Sequence, residues 1–143
     1  MKGTRVKPYD VLLNITGGSI GRCCIFPPEL ERANVNQHVS IIRVIDSIFT
    51  PDYMHYYWNS NIGKMSISLY QTGGNREGMS ADAIKNSPIM VIPIQEQKVI
   101  TTYLDHKCSH IDKLITLKQQ KIEKLQQYKK SLIYEYVTGK KEV

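Results

Sequence analysis

Residues 95–138 read QEQKVITTYLDHKCSHIDKLITLKQQKIEKLQQYKKSLIYEYVT, a run with neither Gly nor Pro. It predicts a single helix, about 66 Å long at the α-helical rise, with Gly139 placed to close it in the left-handed conformation. A helix of that length is too long to pack entirely on the ~94 residues that precede it, which are room for less than one average domain. A heptad fits the run instead. Positions a fall on Cys108, Ile115, Ile122, Lys129 and Tyr136, and positions d on Leu104, Ile111, Lys118, Leu125 and Leu132. Eight of these ten are apolar, and the register holds without a stutter. A helix lying on its own domain would follow a 3.6-residue period and drift out of it. The reading is therefore a coiled coil rather than an amphipathic surface helix. One seam helix per chain puts the covering helix on another chain. Lys118 and Lys129 interrupt the seam. They either extend to its edge with their charges in water or set register and orientation.

Outward from this helix the grammar changes. Residues 95–143 hold ten Lys, no Arg and six acids, whereas 1–94 carry nine basic and seven acidic residues among Gly, Pro, Asn and β-branched types. The net charge is +6, which permits a polyanionic partner. In the first part, three short apolar runs bounded by turn residues, at 10–16, 20–26 and 38–45, predict strands. Thr50-Pro51-Asp52 has the N-cap, first-turn Pro and acid of a helix start. That helix is expected to carry Met54, Tyr57, Trp58, Asn61 and Met65 on one face. Residues 71–79 read as a polar loop, Ser80 as the cap of a short turn, and 89–94 as a last strand broken by Pro93.

Most catalytic chemistry finds no support. Gly17-Gly18-Ser19-Ile20-Gly21-Arg22 lacks P-loop spacing and reads as a turn between strands. No serine sits in a G-x-S-x-G context, and no nucleophile–base pair is apparent. His106 and His110 lie four apart, but no HExxH glutamate accompanies them, so the pair reads as solvated. His38 and His55 read as structural. No enzyme activity, metal or cofactor is expected. The three cysteines are an odd set and read as buried free thiols of a reducing cytoplasm. No apolar run approaches a membrane span. Met1-Lys2-Gly3-Thr4-Arg5 opens no signal sequence, so the expected location is cytoplasmic. Nucleic-acid contacts fit better. Arg5, Lys7, Arg22, Lys64, Lys85 and Arg76 are the cationic candidates. Thr16, Gly17, Gly18 and Ser19 offer donors at a turn, and Asn75 with Arg76 sits on a loop able to enter a groove.

The order of several short motifs then becomes specific. These are Lys7-Pro8-Tyr9-Asp10-Val11-Leu12-Leu13, Thr16-Gly17-Gly18-Ser19-Ile20-Gly21-Arg22, Ala33-Asn34-Val35-Asn36-Gln37, Thr50-Pro51-Asp52-Tyr53 and Thr72-Gly73-Gly74. Ile92-Pro93-Ile94-Gln95-Glu96-Gln97-Lys98, Tyr103-Leu104-Asp105, Ile111-Asp112-Lys113-Leu114-Ile115 and Tyr136-Val137-Thr138-Gly139-Lys140 follow. The chain resembles the C-terminal half of the specificity (S) subunit of type I restriction–modification systems. The resemblance implies an α+β fold: a partial target-recognition domain over 1–94, a small β-sheet with short helices, followed by a long spacer helix over 95–143. It implies recognition of double-stranded DNA, an antiparallel helix pair, and docking of methyltransferase and restriction subunits that perform the chemistry. With one recognition domain and one helix, the chain is expected to act as a homodimeric half subunit. The alternative is a fragment that pairs through its helix and reads no DNA. Salt separates the two, because phosphate contacts weaken steeply as salt rises and an apolar seam does not.

Overall fold

The computed structural model describes residues 4–30, 32–70 and 78–142. The chain divides into two compact units, Met1–Thr102 and Tyr103–Val143.

The first unit is built on a three-stranded antiparallel sheet of order β2-β1-β3: β1 Val11–Asn14, β2 Cys23–Ile25 and β3 Val39–Ile42. β1 is central, pairing Leu13 with Cys23 on one side and with Ser40 on the other. Alternation along it is strict. Val11 and Leu13 are wholly buried, while Leu12 and Asn14 on the opposite face are half-exposed. A 3₁₀ turn, Gly17–Ser19, joins β1 to β2. Its tightness needs positive φ at Gly17 and Gly21, +73° and +85°. Gly21 N–H then donates to Asn14 O at 2.8 Å, and Asn14 N–H to Arg22 O at 2.8 Å.

The buried face of β1 receives α1, Pro51–Asn59, through Met54 and Trp58, four residues apart. Its start is the one expected: Thr50 Oγ1 accepts from Tyr53 N–H at 3.2 Å, with Pro51 and Asp52 in the first turn. The Trp58 ring is fully buried, and its Nε1–H has no acceptor among the described residues. The helix does not run through to Met65. Ser60 is extended at ψ 166°, its hydroxyl donates to Tyr57 O at 2.6 Å and accepts from Gly63 N–H at 3.2 Å, and a second helix, α2 Asn61–Tyr70, begins there. The elbow closes because Gly63 has no Cβ. One built there would press on Tyr57 O and lie 2.8 Å from Trp58 Cα. The turn resets the helical phase, so α2 buries Ser66 and Ile67, and Met65 faces solvent.

The short helix α3, Ala81–Lys85, is capped by Ser80 Oγ, which accepts from Ala83 N–H at 3.1 Å. The strand expected at 89–94 does not form. Residues 88–93 are outside helix and sheet, and three of their carbonyls are taken by side chains. Tyr57 Oη donates to Pro88 O at 3.1 Å, Tyr53 Oη to Met90 O at 3.2 Å, and Gln97 Nε2 to Ile92 O at 2.9 Å.

The long helix, α4, spans Ile94–Val137, 44 residues. Gln97 and Thr101 are buried in the first unit. They occupy the d and a positions of the heptad extended backward. In the second unit Leu104 is half-buried, and every seam position from Cys108 to Tyr136 is exposed. The helix ends on Gly139, φ +69°, with Lys140 N–H on Glu135 O at 2.9 Å and Gly139 N–H on Tyr136 O at 3.2 Å, a Schellman closure. Glu135 also bridges Lys141 at 2.8 Å. That hydrogen bond holds the Glu135 carboxyl below its ordinary range. The thiols depart from expectation: Cys24 and Cys108 are exposed, and only Cys23 is half-buried. Burial, and secondarily its neighbour Cys24, pushes the Cys23 thiol up to about 12.

Candidate nucleic-acid interface

The polar groups of the first unit gather at the C-terminal end of β1. Asn14 starts the cluster, its Nδ2 donating to Ser19 Oγ at 2.7 Å and its Oδ1 accepting from Thr16 N–H at 3.3 Å. Antiparallel pairing brings the start of β3 to the same end, because Asn14 sits opposite Val39 and Ile15 N–H bonds His38 O at 2.9 Å. Thr16 Oγ1 thereby meets His38 Nδ1 at 2.6 Å, and Gln37 Nε2 lies 3.4 Å from His38 Nε2. An amide nitrogen only donates, so a neutral His38 carries its proton on Nδ1 and gives it to Thr16. Asn36 Oδ1 accepts from His38 N–H at 3.0 Å. Thr16 also bridges to Gly78, which brings the chain following residues 71–77 to the same place.

Two cavities flank the cluster. One, about 740 Å³, is lined by Thr4, Ile15, Ser40 and the amides of Asn34, Asn36 and Gln37. The other, about 360 Å³, has Ile20 and Ile67 with Arg22, Lys64, Asn59 and Ser68 around them. Among the described residues no carboxylate comes within ion-pair distance of Arg22 or Lys64, in contrast to Arg43, Lys85 and Lys141. Amide, hydroxyl and imidazole groups are the side chains that read base edges. Exposed cations beside an apolar floor suit a sugar-phosphate.

Of the residues singled out from sequence, Thr16, Gly17, Gly18, Ser19 and Arg22 come together here. Arg5 bridges to Asn34, beside the larger cavity. Lys7 is at the other end of β1, where its N–H donates to Asp10 Oδ2 at 2.7 Å. Lys85 sits 3.8 Å from Asp82 within α3. Asn75 and Arg76 lie outside the described residues. Sequence reasoning missed Asn36, Gln37 and His38. The available signal was a run of three polar donors immediately before a strand. It also missed the Thr16–His38 contact, a hydroxyl–imidazole pair of the kind that opens nucleophilic catalysis. Its further requirement, a carboxylate orienting the second ring nitrogen, is not met, since Gln37 faces Nε2.

A different polar pair is structural. Asp10, 2% exposed, accepts from Arg43 Nε at 2.7 Å and from Arg43 Nη2 at 2.6 Å. The bonds raise the Arg43 pKa further and tie the start of β1 to the end of β3. No helix among the described residues is long and apolar enough to cross a membrane.

Comparison with known proteins gives a consistent result. The crystal structure of the HsdS subunit from Thermoanaerobacter tengcongensis shares the fold, with a TM-score of 0.68 at 14% identity. The match covers 80% of this chain and 30% of that one, so the chain spans less than a third of its length. The family described as type I restriction modification DNA specificity domain matches residues 2–127. By that match over most of its length, the chain belongs to the type I restriction–modification DNA specificity family.

Proposed function

We propose that the chain is a DNA-recognition half subunit of a type I restriction–modification complex. It binds double-stranded DNA in the cytoplasm as a homodimer and docks methyltransferase subunits, with restriction subunits joining for cleavage. It carries out no chemistry and needs no cofactor. The observation that carries this reading is the polar cluster at the end of β1, which holds no carboxylate among the described residues, with Arg22 and Lys64 on one side and Asn36, Gln37 and His38 on the other. Dimerisation is supported by the seam of α4, exposed from Cys108 to Tyr136.

The test has two parts. Light scattering is expected to give twice the chain mass of 16.4 kDa, and Leu125→Asp to return it to the single-chain value by placing a charge in the seam. DNA affinity is expected to fall steeply with salt. Arg22→Ala and Lys64→Ala are each expected to lower the salt slope by about one, with the dimer intact. A dimer that binds no DNA would favour the second reading, a helix-mediated interaction module, which the exposed seam also supports.

A further inference from the structure

The loop ahead of β3 presents three polar side chains in a row, Asn36, Gln37 and His38, all exposed. Its backbone is pinned at both ends. Val6 N–H donates to Ala33 O at 3.0 Å, Val35 N–H to Thr4 O at 3.0 Å and Val39 N–H to Asn36 O at 3.2 Å. The hydrogen bonds already made divide the three side chains by what each has left to offer. Asn36 has its acceptor engaged, since Oδ1 takes His38 N–H at 3.0 Å, and offers a ligand chiefly its amide protons. His38 Nδ1 donates to Thr16 Oγ1 at 2.6 Å, and Nε2, the acceptor of the neutral ring, faces Gln37 Nε2 at 3.4 Å. Gln37 uses one of its two amide protons there. It keeps the other proton and Oε1, a donor and an acceptor side by side on one planar group.

That pair fits one base edge of the major groove. Adenine shows the N6 amino donor beside the N7 acceptor, which a side-chain amide meets with two parallel hydrogen bonds. Guanine shows two acceptors, O6 and N7, so Oε1 would face an acceptor. Cytosine shows an amino donor alone and thymine a carbonyl acceptor alone, and each leaves half of the amide unmet. We infer that Gln37 is the specificity-determining residue for an adenine in the DNA site, with His38 and Thr16 as positioning residues. The acceptor at His38 Nε2 decides which end of the Gln37 amide is nitrogen, and Thr16 decides which nitrogen of His38 is the acceptor. The relay starts in the sheet, because Thr16 N–H donates to Oδ1 of Asn14, the last residue of β1, at 3.3 Å.

This assignment rests on the DNA-recognition reading, and the experiment separates their failures. The full chain selects binders from a pool of DNA duplexes with a randomised central segment. Wild type is expected to enrich a site containing a fixed A·T pair, which Gln37→Ala no longer selects while the other positions keep their bases. Replacing that adenine by 7-deazaadenine removes N7 alone. It is expected to weaken wild-type binding about fivefold and to leave Gln37→Ala binding unchanged. Gln37→Glu keeps an acceptor and loses the donor, and is expected to move the preference at that position to cytosine. Thr16→Val is expected to relax the same position and Thr16→Ser to keep it, a base preference that a merely structural hydroxyl would not move. A Gln37→Ala site identical to the wild-type site would overturn the assignment, as would a relaxed position that is G·C in the wild-type site. Wild-type preference in Thr16→Val would overturn the positioning role. A wild-type chain that enriches no sequence would overturn the DNA-recognition reading itself.

Discussion

Gln97 Oε1 accepts the Thr50 amide proton at 2.8 Å, joining the first turn of α4 to the N-cap of α1 across 47 residues of sequence. The same side chain, wholly buried, donates through Nε2 to Ile48 O at 2.7 Å and to Ile92 O at 2.9 Å. Gln97→Leu keeps the volume and leaves one amide and two carbonyls unpaired. The expected loss is about 2–4 kcal/mol in urea unfolding, a few times the net value of one hydrogen bond. Gln97→Glu keeps the acceptor for Thr50 and loses both donors. It is expected to be at least as harmful at neutral pH, because a buried carboxylate would face two carbonyl oxygens.

Gly63→Ala tests the elbow between α1 and α2. The added methyl would meet backbone, Tyr57 O and Trp58 Cα, which has no flexible end to move aside. The expected cost is about 2 kcal/mol or more, although alanine is the better helix former. A stability equal to wild type would show that the elbow opens without penalty.

Arg43→Met removes the bidentate partner of a buried carboxylate and leaves Asp10 with the Lys7 N–H at 2.7 Å. The loss is expected to be about 2 kcal/mol, below the range for fully buried pairs, because the Arg43 side chain is half-exposed and water can replace part of it. Urea unfolding of Arg43→Met beside Arg43→Lys reads it. Lysine is expected to recover only part, since it lacks the planar fork.

The thiols give a pH prediction. In the native protein Cys24 and Cys108 are expected to react readily with a thiol reagent at pH 8, and Cys23 slowly. Burial holds the folded Cys23 pKa at about 12, above the 9.0 of an exposed thiol. The folded state therefore retains a proton that the unfolded chain releases. Cys23 has no effect on stability below pH 9, and stability falls as pH rises from 9 towards 12. Cys23→Ala is expected to flatten that part of a stability–pH curve relative to wild type.

The features legible in the sequence are those written locally. The length of α4, the caps at Thr50, Ser80 and Gly139, and the three strands each follow from residues a few positions apart. The features that escaped depend on distant partners. Nothing near Gln97 announces that Thr50 and Ile48 need it, and a run such as 89–94 reads as a strand until Tyr53 and Gln97 take two of its carbonyls. Asp10 and Arg43 are 33 residues apart, and Thr16 and His38 are 22 apart. The break at Ser60 was within reach, since a serine three residues before a glycine is a cap as well as a helix residue. The apolar spacing through Met65 obscured it.

The unbroken course of α4 has a consequence for how this helix tolerates change in length. α4 is one continuous helix, so its seam is a single stripe defined by the spacing of its residues. One residue inserted between Ile115 and Lys118 would turn the part of the stripe that follows by about 100° relative to the part before. Seven would return it to nearly the same azimuth, some 10 Å further along. Insertions and deletions in this segment are therefore admissible in units of seven, and a single-residue slip splits the ten seam positions between two faces.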